Sequence, residues 1–160
     1  GCSNGREEAS ELVYTAIKVF GGVDELDVVI KCHPIMPFDR FQNLIGESLP
    51  KNFRISDSPI QRLMVESAFM VYSGSTVCIE ALGLGIPMIH LVPKFDLDLD
   101  PLESVSGVRL EAYGLEDMRR QSEWLLENRE QYLESNRLAG YEAFKKMYEP
   151  VTDQTTYAFL

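Results

Sequence analysis

The stretch FMVYSGSTVCIEALGLGIPMIHLV, residues 69–92, contains the pattern that decides the fold. Residues 69–72 and 87–92 are short apolar runs that predict strands, and residues 75–84 between them predict a helix. Gly85 and Pro87 end that helix, because glycine caps helix C-termini and proline cannot continue a helix. A strand, a helix and a second strand in close succession predict two parallel strands joined by a helical crossover.

The same alternation continues on both sides of this stretch. Before it we predict a helix over residues 7–20, a buried strand over 27–32, a short helix over 38–45, a short strand over 52–55 and a helix over about 59–67. After it come an irregular acidic segment at 94–100, a last short strand within 107–112 and helices over 114–148, which Pro150 ends. The predicted fold is α/β, a Rossmann-like parallel sheet with helices on both faces, followed by a helical C-terminal segment.

Length and composition predict one Rossmann-like domain that spans residues 1–160. The chain is 45% hydrophobic and 25% charged, as globular proteins usually are, and no apolar run approaches the roughly 20 residues of a membrane span. Its formal charge of −10 argues against a nucleic-acid partner. It does not exclude a small anionic ligand, because a pocket can be locally positive on an acidic protein. Three cysteines without metal-ligand spacing, and no leader pattern, predict a cytoplasmic protein.

The chain opens directly on a glycine-containing turn, GCSNG at residues 1–5, and then enters the first predicted helix. Open parallel sheets usually begin with a strand that leads into such a turn. We therefore expect the 160 residues to be a fragment that lacks the first strand and whatever precedes it.

Two polar clusters follow predicted strands, where open parallel sheets bind their ligands. His33 ends the strand at 27–32, and it can donate a hydrogen bond to a phosphate or cap the strand end through backbone hydrogen bonds. The turn Ser73-Gly74-Ser75-Thr76 connects a strand to a helix, where N–H groups and hydroxyls attract anions. Helix capping alone would use the same residue types, and the turn lacks the lysine of a Walker P-loop.

Glu80 lies on a helix whose other residues are apolar or small. A carboxylate in a buried helix is costly unless a partner compensates it. Thr76, Glu80 and Gly83 are spaced i, i+4 and i+7 and therefore share one face. We interpret this face as a sugar pocket, in which Glu80 accepts hydrogen bonds from a ribose diol and Gly83 lets a ligand approach the backbone. The alternative is a solvent-exposed glutamate on an edge helix.

Residues 73–87 resemble the serine-glycine, Glu-Ala-Leu and glycine-x-proline stretch of the C-terminal domains of GT-B glycosyltransferases. The run KCHP, residues 31–34, resembles the K-x-H-P signature of bacterial surface-polysaccharide enzymes. These enzymes include sialyltransferases, capsule transferases and the glycerophosphotransferases of teichoic acid synthesis. The resemblance covers roughly residues 1–93, and the two motifs occur in the expected order.

The resemblance implies the donor-binding half of a glycosyltransferase in surface polysaccharide synthesis, with a UDP-, CDP-, GDP- or CMP-linked sugar as its ligand. It assigns ribose binding to Glu80 and phosphate binding to six residues: His33, Ser73, Gly74, Ser75, Thr76 and, from the first glycine-rich loop, Arg6. It implies no metal or other cofactor, and it is compatible with peripheral membrane association of the full-length protein. The acceptor site and the usual catalytic base belong to an N-terminal domain that we expect to be missing, so the catalytic residues stay unknown and we predict that the fragment alone is inactive.

Two other functions share this fold. A nonhydrolysing UDP-N-acetylglucosamine 2-epimerase has a similar serine-glycine-glutamate stretch, but it usually carries a doubled glutamate that this chain lacks. A docking module without catalysis is the other alternative.

The acids Asp96, Asp98 and Asp100 alternate with leucine and could line a hard-cation site, although a solvated acidic loop is the commoner outcome. His90 lies within an apolar strand, and we predict a core or strand-end histidine with its hydrogen bonds satisfied.

Overall fold

A computed structural model describes residues 5–94 and 97–147 and confirms the predicted α/β architecture. The helices in the described residues are α1 (Arg6–Phe20), α2 (Gln42–Ile45), α3 (Ile60–Val65), α4 (Val77–Leu84), α5 (Leu115–Glu127) and α6 (Arg129–Met147), with a 3₁₀ turn at Phe38–Arg40. The strands are β1 (Val28–Ile30), β2 (Phe53–Ile55), β3 (Met70–Tyr72), β4 (Met88–Leu91) and β5 (Leu110–Ala112). Most elements begin or end one or two residues inside the predicted ranges, as element ends commonly do.

Every strand pairing within these residues is parallel, and the strands form two small sheets. β1 pairs with β2, with Val28 opposite Phe53. The second sheet has the order β3-β4-β5, with β4 in the centre. Parallel pairing requires a crossover between consecutive strands, and α4 supplies the crossover from β3 to β4. Residues 1–4 of the predicted turn at 1–5 lie outside the described residues, and Gly5 is the N-cap of α1.

Helices cover both faces of the three-stranded sheet, as the alternation predicts. Side chains of consecutive strand residues point to opposite faces, and all four residues of β4 are buried. Ile89 and Leu91 lie in one hydrophobic cluster with residues of α1 and α5. Met88 lies in a second cluster with residues of α4 and, at its margin, of α6. The Rossmann-like layering of the sequence prediction is thus present.

The termination of α4 follows the sequence prediction closely. Gly85 adopts a left-handed conformation with φ of 68°, and its N–H bonds to the carbonyl groups of Ala81 and Leu82. An L-residue with a side chain adopts this conformation only at a cost, so glycine is the natural end of the helix. Pro87 then leads into β4.

The predicted C-terminal helical segment consists of two helices that meet at Asn128. Leu125 of α5 and Tyr132 of α6 are buried, and the hydroxyl of Tyr132 donates to the carbonyl of Val108 at 2.7 Å. These contacts fasten the helices to the segment that leads into β5. Pro150 falls outside the described residues. No helix within 5–94 and 97–147 combines the length and the apolar character that a membrane crossing requires.

Candidate functional site

The turn that connects β3 to α4 is built almost entirely from polar groups. Ser73 and Ser75 are buried, Thr76 is exposed, and Gly74 has a left-handed φ of 52°. α4 begins at Val77, two residues later than predicted, and no side chain caps it. Within the described residues the backbone N–H groups of 74–77 find no hydrogen-bond acceptor. The N–H groups of Cys78 and Ile79, which a side-chain cap would otherwise bind, already bond to the carbonyls of Ser75 and Thr76. The unpaired donors therefore belong to the turn and to the first residue of α4.

A carboxylate from the first helix contacts one end of this turn. The hydroxyl of Ser73 donates to Oε1 of Glu8 at 2.9 Å. A Cβ atom at Gly74 would lie 2.3 Å from the same oxygen, so only glycine allows this approach. The two partners are 65 residues apart in sequence, and no local pattern pointed to Glu8. Glu8 is a functional group at the turn that the sequence analysis missed.

His33 lies three residues beyond β1, exposed, in a tight turn with Met36. Its Nδ1 accepts a hydrogen bond from the N–H of Ile35 at 3.2 Å, and its carbonyl accepts from the N–H of Met36 at 2.9 Å. A ring nitrogen that accepts a hydrogen bond carries no proton, so the proton of the neutral ring resides on Nε2. The backbone bonds thus orient the ring and leave Nε2–H as a donor. Within the described chain, no hydrogen bond or ion pair joins His33 to residues 73–76.

Glu80 is half-buried and has a partner on the neighbouring helix. Nε2 of Gln61, on α3, donates to Oε2 of Glu80 at 2.8 Å. The second carboxylate oxygen has no described donor, and ribose binding by Glu80 stays a prediction.

The structure gives Gly83 a role in helix packing, and the approach of a ligand to its backbone stays a prediction. A Cβ atom at Gly83 would lie 2.8 Å from the ring of Phe144, which belongs to α6. The absent side chain therefore lets two helices pack closely, as α4 and α6 do along their contact. Glu80 and Gly83, which we predicted to lie on one helix face, thus contact different helices. Glu80 contacts α3, and Gly83 packs against α6.

Arg6 is the first residue of α1 and is exposed. The ion pairs within the described residues do not include it. The assignment of Arg6 to the phosphate site stays a prediction.

A buried polar cluster lies beside the turn, at the ends of β3 and β4. Asp100 accepts hydrogen bonds on Oδ1 from the hydroxyl of Tyr72 at 2.9 Å and from the N–H of Leu102 at 3.0 Å. Its Oδ2 lies 2.6 Å from Nη2 of Arg109, and both side chains are almost fully buried. Arg109 also donates to the carbonyl groups of Leu102 and Val105. This cluster fastens the segment after β4 to the sheet, and only the tertiary structure brings its members together.

His90 is 1% exposed and stacks on Tyr72 with ring centroids 5.1 Å apart. Its Nε2 lies 3.4 Å from Asp98 and its Nδ1 lies 3.7 Å from Asp100, but neither nitrogen makes a hydrogen bond with the residues that the structure describes. The predicted burial is therefore correct, whereas the predicted satisfaction of its hydrogen bonds is wrong.

Nearby, burial and then the charge of Asp100 raise the pKa of the Cys78 thiol to about 12, so Cys78 is a protonated core residue at neutral pH.

Of the alternating acids after β4, Asp100 is part of this buried cluster, where its carboxylate faces Arg109. Asp96 lies outside the described residues. In the part of the chain that the structure describes, no three or more His, Cys, Asp or Glu side chains are grouped as a metal site would require.

Comparison with known proteins finds no protein-family model, no curated protein and no solved structure that matches the chain. The class of protein is therefore defined by the fold and the site alone. It is a Rossmann-like α/β protein with a glycine-containing polar turn at the carboxyl end of β3.

Proposed function

We propose that the chain is the donor nucleotide-sugar-binding domain of a glycosyltransferase that acts in surface polysaccharide synthesis. The observation that carries the proposal is the set of unpaired N–H groups at residues 74–77, together with the hydroxyls of Ser75 and Thr76. These donors stand at a helix N-terminus beyond the carboxyl end of a parallel strand, the usual place for a nucleotide phosphate.

Four of the assigned residues, Ser75, Thr76, His33 and Glu80, offer the chemistry that their roles need, whereas the hydroxyl of Ser73 is donated to Glu8. The hydroxyls of Ser75 and Thr76 and the N–H groups of 74–77 donate to phosphate oxygens, and His33 adds the donor on Nε2. Glu80 accepts from the ribose hydroxyls and keeps Gln61 as a second partner that orients its carboxylate. The donors at the turn are backbone and hydroxyl groups, which bind an anion through short-range hydrogen bonds in spite of the net charge of −10.

The experiment is a titration of the full chain with CMP, CDP, UDP and GDP, followed by thermal unfolding. A ligand at 100 times its dissociation constant stabilises the folded state by about 2.7 kcal/mol. For a chain of this size that corresponds to a rise of roughly 5–11 °C in Tm. Ser75→Ala should reduce the shift, whereas Ser135→Ala, an exposed serine on α6, should leave it unchanged. The proposal fails if none of the four nucleotides shifts Tm.

Product analysis separates the proposed activity from its alternatives. Transfer of the sugar to an acceptor by the full-length protein supports a glycosyltransferase. Epimerisation of a nucleotide sugar without an acceptor would indicate the epimerase, and binding without turnover would indicate a docking module.

A further inference from the structure

One end of the β3–α4 turn already holds an anion that belongs to the protein. The carboxylate of Glu8 accepts a hydrogen bond from the hydroxyl of Ser73. It also lies against Gly74, where a methyl group would collide with it. The ion pairs within residues 5–94 and 97–147 do not include Glu8, so no lysine or arginine there neutralises its charge by direct contact. A negative charge therefore stands at the place where an incoming phosphate would otherwise use Ser73.

The other end of the turn keeps its donors. Ser75 is 9% exposed, and its hydroxyl has no hydrogen-bond partner within the described residues. The N–H groups of 75–77 are equally unpaired there, and Thr76 is exposed beside them. The turn thus offers two anion positions, one filled by Glu8 and one with unpaired donors.

We infer that Glu8 is a specificity-determining residue that restricts this site to donors linked through a single phosphate. One phosphate fits the donors of Ser75, Thr76 and the α4 terminus. A second phosphate extends toward Ser73 and meets an uncompensated carboxylate, and like charges a few ångströms apart in a partly buried site repel strongly. The inference rests on the proposed nucleotide site and narrows its substrate class to sugars joined to a nucleoside monophosphate.

The test compares affinities for CMP and CDP by isothermal titration calorimetry of the full chain and its variants. Glu8→Gln removes the charge but keeps an oxygen that can accept the hydroxyl of Ser73, so the turn keeps its geometry. Glu7→Gln removes an equal charge from the neighbouring, exposed residue of the same helix and serves as the matched control. The measured quantity is the ratio of the dissociation constants for CDP and CMP in each protein.

We expect the unmodified chain to bind CMP more tightly than CDP. Glu8→Gln should improve the affinity for CDP relative to that for CMP by roughly tenfold, as the loss of one close charge repulsion allows. Glu7→Gln should leave the ratio within about twofold of the original. An unchanged ratio in Glu8→Gln, or an equal change in Glu7→Gln, overturns the inference and leaves the proposed function standing. If neither nucleotide binds to any of the three proteins, both the inference and the proposed function are overturned.

Discussion

Replacement of Asp100 by asparagine tests whether the buried cluster at the ends of β3 and β4 stabilises the fold. Asparagine has nearly the same volume and keeps one oxygen for the hydroxyl of Tyr72. It lacks the negative charge that faces Nη2 of Arg109 at 2.6 Å. The arginine side chain is only 8% exposed, and its remaining anionic partner is Glu111 at 3.3 Å, which is itself partly exposed. The substitution therefore leaves a buried guanidinium with incomplete compensation.

The expected loss follows from this geometry. Removal of one partner from a buried ion pair usually costs about 3–5 kcal/mol, because the other charge stays desolvated. Glu111 and two carbonyl acceptors still contact Arg109, so we expect the lower end, about 3 kcal/mol in the free energy of unfolding. For a chain of this size that equals a decrease of roughly 6–12 °C in Tm.

Urea unfolding, followed by circular dichroism, measures this loss. Glu103→Gln is the control, because Glu103 is an exposed acid in the same segment, and its effect should stay within about 0.5 kcal/mol. The double variant Asp100→Asn with Arg109→Met should be less unstable than the sum of the single variants, since it leaves no unpaired charge. A loss below about 1 kcal/mol in Asp100→Asn would refute the argument that this ion pair stabilises the fold.

Three further predictions concern the site and the core. His33→Ala should weaken binding of a nucleoside diphosphate more than binding of the nucleoside, because its proposed partner is phosphate; calorimetry with CDP and cytidine checks this, and equal losses would remove His33 from the phosphate site. Glu80→Gln should weaken both ligands alike, by roughly ten- to a hundredfold, because the lost charged hydrogen bond is to the ribose; unchanged binding, or an unfolded variant, would make the carboxylate structural. The pKa of the Cys78 thiol is raised from 9.0 to about 12 by burial, so the folded state holds its proton more tightly than the unfolded state. That contribution to stability is complete below pH 9 and is lost as the pH rises toward 12, with about 1 kcal/mol lost by pH 10. Urea unfolding at pH 8 and pH 10 should show a smaller loss of stability in Cys78→Ala.

The local elements of this fold could be predicted because their signals are short-range. The β-branched run at β1 and the glycine and proline after α4 determine backbone preference within a few residues. Element ends were less accurate, since the predicted helix over 38–45 divides at Phe41, between a 3₁₀ turn and α2. Hydrogen bonds at such ends depend on neighbours that a local pattern does not specify.

The candidate site also combines features that the local sequence predicts with features that depend on distant residues. The polar turn and its place after a strand were evident from the order of residue types, because strand direction places every carboxyl end of a parallel sheet on one edge. The roles of Glu8 and Gly83 were not evident, because each depends on a residue far away in the chain: Ser73 for the carboxylate and Phe144 for the glycine. A glycine looks alike in sequence whether it makes space for a ligand or for a helix.

The sequence by itself therefore determined the alternation of strands and helices, the parallel pairing, and the polar turn between β3 and α4. Periodicity, turn chemistry and helix ends act over a few residues, and the linear order records them directly. Only the tertiary structure decided that Glu8 contacts that turn, that Asp100 faces Arg109, and that Phe144 fills the space beside Gly83. These contacts join distant segments through packing, and packing depends on the three-dimensional arrangement of elements that the linear pattern leaves open.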